Sequence, residues 1–247
     1  MDWLRALLRP PWGRPRGGSP MPFFLPEAGW TRRLDPEVMA GVEAICPPRR
    51  FRKGEAIFLS GDPAESLYIL VEGRVLLSLP TPKGERALAL LGEGDIFGES
   101  FLSRRERQVV SARVQSEMAV VCPVSRTQFL EVARTFPEVA LMLAALLAEH
   151  LTQLAEALGQ ASLPAYVRVG RLLLRLGESF GQPVPEGVRL ELGLTQEDLA
   201  ALCGVTRVTV AQAFRLFRQE GALRKDGAGY LLDPARLKSV VEDLEMA

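Results

Sequence analysis

Thr206, Arg207, Val208, Thr209, Gln212 and Arg215 carry unlike chemistry at spacings that a single helix would gather. On a helix beginning just after Thr206, the residues Arg207, Val208, Thr209, Gln212 and Arg215 lie outward near its N-terminal end. Val210, Ala213, Phe214 and Phe217 then form the inward face. The Arg guanidinium has the fork geometry that fits guanine O6 and N7, and a Gln amide pairs with adenine. Such a set at the exposed start of a helix suits the reading of base edges in a DNA major groove. Thr206, Arg207, Val208, Thr209 and Gln212 are the candidate base contacts.

Charge points the same way. The chain holds 30 basic and 30 acidic residues, and its pI is about 6.7, so no global excess announces an anionic partner. From Gly204 to Lys225, however, Arg207, Arg215, Arg218, Arg224 and Lys225 face one acid, Glu220, a local balance of +4. Neutralising a phosphate backbone requires this kind of local concentration. Thr195, Gln196, Arg215, Arg218 and Lys225 are the candidate backbone contacts. The alternative is a helix pair that packs and reads nothing, because helix–turn–helix spacing alone is a weak signal.

The elements that must position these residues are legible on either side. Thr195 predicts an N-cap, with Glu197 and Asp198 in the first turn and Leu199, Ala200 and Leu202 on the buried face. Gly204 predicts the tight turn, and Thr206 the cap of the second helix. Ala222–Lys225 and Tyr230–Leu232, joined by Asp226-Gly227-Ala228-Gly229, predict a β-hairpin wing. A helix from about Ala165 to Ser179, a Gly/Pro-rich loop from Gly181 to Gly187 and a strand-like Val188–Leu192 lead into the pair.

Upstream the pattern changes. From Phe51 to Val124, short apolar runs (Ala56–Leu59, Ser66–Val71, Val75–Leu79, Ala87–Leu91, Val109–Val114, Ala119–Val124) alternate with glycine-marked turns, which predicts a small antiparallel barrel or roll. Pro137 is placed to open a long helix. Ala144, Leu147, Leu151, Leu154, Leu158 and Ala161 recur along it at alternating spacings of three and four, a coiled-coil-like seam. Val139, Met142, Leu143 and Leu146 make a second apolar set able to cover the roll. A helix with two apolar faces needs two partners: its own roll and, on the dimer reading, the same helix of a second subunit. Burial within one subunit is the alternative.

The chain therefore reads as α+β: residues 1–30, a Pro/Gly/Arg-rich extension; 31–136, a β-roll; 137–163, a dimerisation helix and hinge; 164–247, a winged helix–turn–helix. The extension is expected to be disordered, as a functional arm or as the product of a start codon placed too far upstream.

Several function classes recede. Cys46, Cys122 and Cys203 form no CxxC pair, and the lone histidine, His150, has no neighbouring metal-ligand set, so neither a zinc site nor an iron–sulfur cluster is expected. One histidine and no nucleophile motif leave little for an enzyme. No apolar run reaches spanning length, and residues 1–9 are too short and charged for a secretory signal, so the expected compartment is the cytoplasm. The absence of Asn and the excess of Arg over Lys fit a heat-adapted source or GC-rich codons.

The stretches Leu194-Thr195-Gln196-Glu197-Asp198-Leu199-Ala200 and Gly204-Val205-Thr206-Arg207-Val208-Thr209-Val210 resemble the DNA-binding signature of the Crp–Fnr family of bacterial transcription regulators. Lys53-Gly54-Glu55, Leu67 to Gly73 and Gly94-Asp95-Ile96-Phe97-Gly98-Glu99 resemble that family's cyclic-nucleotide-binding roll. The resemblance spans about residues 45 to 235. It implies a homodimer on a pseudo-palindrome with half-sites about 34 Å apart, DNA bending, and contact with RNA polymerase.

The resemblance also implies a pocket at Gly98, Glu99, Val110 and Ser111. Members that bind cyclic AMP use a Glu after the Gly and an Arg in an Arg-Ser/Thr-Ala run. Glu99 matches the first, but the run here reads Val110-Ser111-Ala112, and valine cannot neutralise a phosphate. The family's adenine-holding Thr-Ser pair aligns with Leu154-Ala155. No cyclic AMP or other cofactor is therefore expected, unless Arg107 or Arg113 substitutes through a different threading of the loop Ser103–Val109. The alternative is a switch whose roll binds a cyclic nucleotide or another anion to control DNA binding. Members reading a TGTGA half-site carry Arg, Glu and Arg on the recognition helix; Arg207 keeps the first, while Val208 and Gln212 replace the others.

Overall fold

The computed structural model describes residues 46–246 except 83, 104–105, 136–139, 141–142, 145–146, 149–150, 153–154 and 156–161. The extension at residues 1–30, Pro137, His150, Leu154 and Leu158 thus lie outside the described residues. The chain divides into two compact units, with its main break between Leu151 and Thr152.

The first unit is the roll. Its strands are β1 (Arg49–Arg52), β2 (Ala56–Phe58), β3 (Ser66–Glu72), β4 (Val75–Thr81), β5 (Gly84–Leu91), β6 (Ile96–Phe97), β7 (Ser111–Val114) and β8 (Met118–Ser125). They form two four-stranded sheets, ordered β1-β8-β3-β6 and β2-β7-β4-β5. The six apolar runs all became strands. The strand expected from Val109 begins only at Ser111, because Val109 and Val110 form a bend. Three elements were not foreseen: β1, whose residues Arg49, Arg50 and Arg52 give no apolar alternation, the two-residue β6, and the helix α1 (Arg126–Thr135).

Cys46, Leu67, Ile69, Ile96, Phe101, Cys122, Phe129 and Leu143 form one buried cluster. Phe101 and Phe129 meet edge to face at 5.3 Å, a geometry favoured by the ring quadrupoles. Cys46 and Cys122, 76 residues apart, come together here as free thiols: Cys122 Sγ donates to the Cys46 carbonyl at 2.9 Å.

Residues 140, 143, 144, 147, 148, 151, 152 and 155 are helical, as the long-helix expectation requires. Leu143 is buried in the roll cluster, as its set predicts. Leu147, of the seam set, is half-buried and packs against the same cluster. Ala140, Ala144, Ala148, Leu151, Thr152 and Ala155 are exposed; Ala144, Ala148 and Leu151 lie at spacings of four and three, with Leu151 at 67%.

The second unit comprises α2 (Ala165–Phe180), β9 (Gln182–Val184), β10 (Gly187–Leu190), α3 (Gln196–Cys203), α4 (Arg207–Gln219), β11 (Leu223–Asp226), β12 (Gly229–Leu232) and α5 (Pro234–Met246). The strands form one sheet, ordered β11-β12-β10-β9. The segment expected to be a loop from Gly181 to Gly187 instead contains β9, whose Pro183 pairs with Val188 on the edge of the sheet, where a proline is tolerated. The closing helix α5 was not foreseen. It seats Leu237 and Val241 against α2. The contact depends on Gly170: a Cβ there would lie 2.3 Å from Val241 Cγ2.

Candidate nucleic-acid interface

The helix pair is built by its caps. Thr195 Oγ1 accepts from the Asp198 amide at 3.1 Å, and Asp198 Oδ2 accepts from the Thr195 amide at 2.8 Å, a reciprocal capping box. Thr195 Oγ1 also donates to Asp198 Oδ2 at 2.7 Å. Gly204 ends α3 in the left-handed region, with φ 63°, and its amide bonds back to Ala200 and Ala201. Thr206 then caps α4, its Oγ1 accepting from the Thr209 amide at 3.1 Å. The two helices turn by 99° at this break, within the range of helix–turn–helix units.

Packing fixes which face of α4 looks outward. Val210, Ala213, Phe214 and Phe217 are fully buried, and each large apolar side chain so removed from water contributes about 1.5–3 kcal/mol. Helical periodicity then leaves Thr206, Arg207, Val208 and Gln212 exposed and Thr209 half-buried. Val208 is 64% exposed, an apolar side chain held in water at the helix start. Arg207, Arg215, Arg218, Arg224 and Lys225, the five cations of the +4 stretch, are all exposed. Of the other proposed backbone contacts, Thr195 is exposed and Gln196 half-buried.

The wing is tied to the helix by aromatics. Lys225 Nζ sits 4.6 Å from the Tyr230 ring centroid, and Tyr230 meets Phe214 edge to face at 5.0 Å. Arg189 of β10 pairs with Asp226 Oδ2 at 2.6 Å, bracing the hairpin.

Two residues of α2 join this site without having been singled out in the sequence. The Tyr166 hydroxyl donates to Gln212 Oε1 at 3.2 Å. Arg168 Nη1 donates to the carbonyls of Cys203 at 3.0 Å and Gly204 at 3.1 Å. The available signal was an arginine set between Val167 and Val169 in an apolar helix. The cation at the end of α3 also complements the helix dipole. Cys203 beneath it has its thiol pKa pushed up to about 12 by burial, against a smaller opposing pull from Arg168.

In the roll, Gly98 takes φ 86°, and a Cβ there would lie 2.8 Å from the Tyr68 ring. Glu99 opens a short 3-10 turn, Glu99–Leu102, and is half-buried. Val110 is half-buried; Ser111 is buried, and its Oγ accepts from the Ser60 amide at 3.1 Å. Arg107 Nη1 donates to the Gly61 carbonyl at 2.7 Å, and Arg113 Nε lies 3.7 Å from Glu85 Oε2. Arg107 and Arg113 thus each contact another part of the roll. Among the described residues no cluster of three or more His, Cys, Asp or Glu is arranged to hold a metal ion, and no single helix is long and apolar enough to cross a membrane.

Comparison with known proteins agrees with this architecture. Residues 48–136 match the cyclic nucleotide-binding domain, and residues 167–240 the Crp-like helix-turn-helix domain. The chain is 30% identical over 222 residues to the CRP-like cAMP-activated global transcriptional regulator of Mycobacterium tuberculosis, covering 88% of this chain and 98% of that one. It is 34% identical over 179 residues to the cyclic AMP receptor protein of Thermus thermophilus, covering 71% and 79%. A crystal structure of a CRP-family transcriptional regulator from Thermus thermophilus superposes with a TM-score of 0.66 at 25% identity, covering 78% and 96%. Roll, capped helix pair and wing, in that order and with these relatives, make the chain a DNA-binding member of the Crp–Fnr family of transcription regulators.

Proposed function

We propose that this regulator works as a cytoplasmic homodimer that binds a pseudo-palindromic DNA site and activates transcription by recruiting RNA polymerase, without cyclic AMP. The observation that carries the DNA-reading geometry is the start of α4. There Arg207, Val208 and Gln212 stand exposed beside Thr206, with the cations Arg215, Arg218 and Lys225 ranged along the same helix and wing. Thr206, Arg207, Val208, Thr209 and Gln212 face the bases, and Thr195, Gln196, Arg215, Arg218 and Lys225 the phosphates. Independence from cyclic AMP is supported by Val110 at the run where a phosphate-binding arginine is expected. A buried phosphate without a cation costs several kcal/mol, on the order of other unpaired buried charges.

The test is binding-site selection with ligand-free protein, then transcription from a selected site with RNA polymerase. A two-half-site motif should emerge, with guanine kept opposite Arg207 and departures from TGTGA where Val208 and Gln212 read. No enrichment without an added small molecule would overturn the ligand-free reading, and so would stoichiometric micromolar heat with cyclic AMP in calorimetry.

A second reading, a roll that senses another small polar molecule, is favoured by Gln108. It is 3% exposed, and neither atom of its side-chain amide has a hydrogen-bond partner. Such groups are rare in folded proteins. Under this reading selection succeeds only when that ligand is present.

A further inference from the structure

Gln212 differs from the other exposed residues of α4 in being held by a side chain outside the helix pair. Tyr166, the second residue of α2, donates its hydroxyl to Gln212 Oε1 at 3.2 Å. Tyr166 is half-buried, and Gln212 is exposed. The hydrogen bond therefore joins a ring seated in the body of the unit to an amide facing solvent.

An amide is a two-ended reader: the carbonyl accepts and the NH2 donates, and half a turn about Cγ–Cδ exchanges them. An unrestrained Gln can meet either order of donors and acceptors on a base edge, which weakens its discrimination. Two groups fix the order only if something else fixes the amide plane. With Oε1 tied to the Tyr166 hydroxyl, the NH2 is directed away from Tyr166 by covalent geometry alone. The hydroxyl could equally accept from a flipped NH2, so what the contact fixes is the place and the plane of the amide.

We propose that Tyr166 is a positioning residue for DNA specificity: by anchoring one end of the Gln212 amide, and so its place and plane, it makes Gln212 discriminate at one base pair of each half-site. The inference rests on the DNA-reading role of α4 proposed above. Tyr166 acts through Gln212 and takes no base contact of its own.

Site selection on four full-length proteins tests this: the parent, Q212A, Y166F and Y166F/Q212A, each checked for an unchanged melting temperature. Q212A identifies the base pair that Gln212 reads. At that base pair, and at no other, Y166F should reduce the parent's preference roughly fivefold, the worth of one neutral hydrogen bond. In the Q212A background Y166F should change nothing further. If the parent enriches no motif, with or without an added cyclic nucleotide, the DNA-reading role of α4 falls and this inference with it. If the parent enriches a motif but Y166F leaves the base frequencies unchanged, the DNA-reading role stands and the positioning role is overturned. A Y166F effect that persists without Gln212 also overturns it, because Tyr166 would then be acting on DNA directly.

Discussion

Arg168 and Gly204 are joined across the second unit by a guanidinium-to-carbonyl hydrogen bond of 3.1 Å, and the same Nη1 reaches the Cys203 carbonyl at 3.0 Å. These carbonyls lie where α3 ends, so their orphan acceptors are satisfied by a cation from α2. The turn that sets the angle between α3 and α4 is thus anchored from outside. Replacing Arg168 with Met keeps the stem and removes both bonds. Hydrogen bonds to a charged group are worth about 1.5–3 kcal/mol, so urea unfolding of R168M should show a loss of that size. A loss below about 0.5 kcal/mol, the scale of an ordinary surface change, would mean that the turn holds itself.

Arg207 and Arg218 are both exposed cations on α4, yet they should behave differently. Arg207 stands beside the Thr206 cap, where a recognition helix meets bases. Arg218 stands at the far end, its Nε donating to the Phe214 carbonyl at 3.2 Å. Arg207→Ala should cost roughly 1–3 kcal/mol and relax preference at one guanine, whereas Arg218→Ala should weaken all sequences alike and lower the salt slope by about 1. Titrations on matched and mismatched duplexes at several salt concentrations separate the two. Equal losses on every duplex for both variants would refute the division.

How much of this was legible depended on the range of the forces involved. Thr195, Gly204 and Thr206 act within a few residues of themselves, so their side-chain types alone announced two caps and a turn. The inward face of α4 was equally readable, because Val210, Ala213, Phe214 and Phe217 keep the helical period. Contacts made at long sequence separation were not readable. Nothing near Tyr166 says that it will meet Gln212, 46 residues on. Nothing in Arg49–Arg52 says strand, because β1 exists by pairing with β8 and not by its own propensity. The contact of Leu147 with the roll is hidden for a related reason: the spacings of a seam and of a roll-facing stripe overlap, and its packing against the buried cluster is not visible in the spacing.

Alkaline stability should report on Cys203. Its thiol, ordinarily at 9.0, is pushed up to about 12 in the fold by burial. Above pH 9 the unfolded chain releases this proton and the native protein keeps it. The stabilisation is therefore complete below pH 9 and is lost between pH 9 and 12, at up to about 1.4 kcal/mol per pH unit. Cys46, raised chiefly by its hydrogen bond with Cys122 and then by burial, steepens the same decline. Urea midpoints from pH 7 to 11 should be flat to about 9 and then fall. The fall should be shallower in C203A; an identical slope in C203A would show that this thiol is not involved.

Leu151 tests the dimer. It is 67% exposed, on a helical face it shares with the exposed Ala144 and Ala148, while Leu143 and Leu147 turn toward the roll cluster. A small–small–large apolar stripe of this kind suits close approach of a second helix. A twofold interface presents each residue twice, so any penalty there is doubled. Burying a leucine is worth about 1.5–3 kcal/mol, so Leu151→Glu should remove about 3 kcal/mol or more per dimer, over a hundredfold in the dissociation constant. Leu130→Glu, on the 39%-exposed Leu130 of α1, is the matched control and should leave association unchanged. Sedimentation at micromolar concentration should show L151E as a folded monomer and L130E as a dimer. On DNA, L151E should keep the motif of one half-site and lose the gain from the second. A monomeric parent, or a dimeric L151E with parental affinity, would place the subunit contact elsewhere.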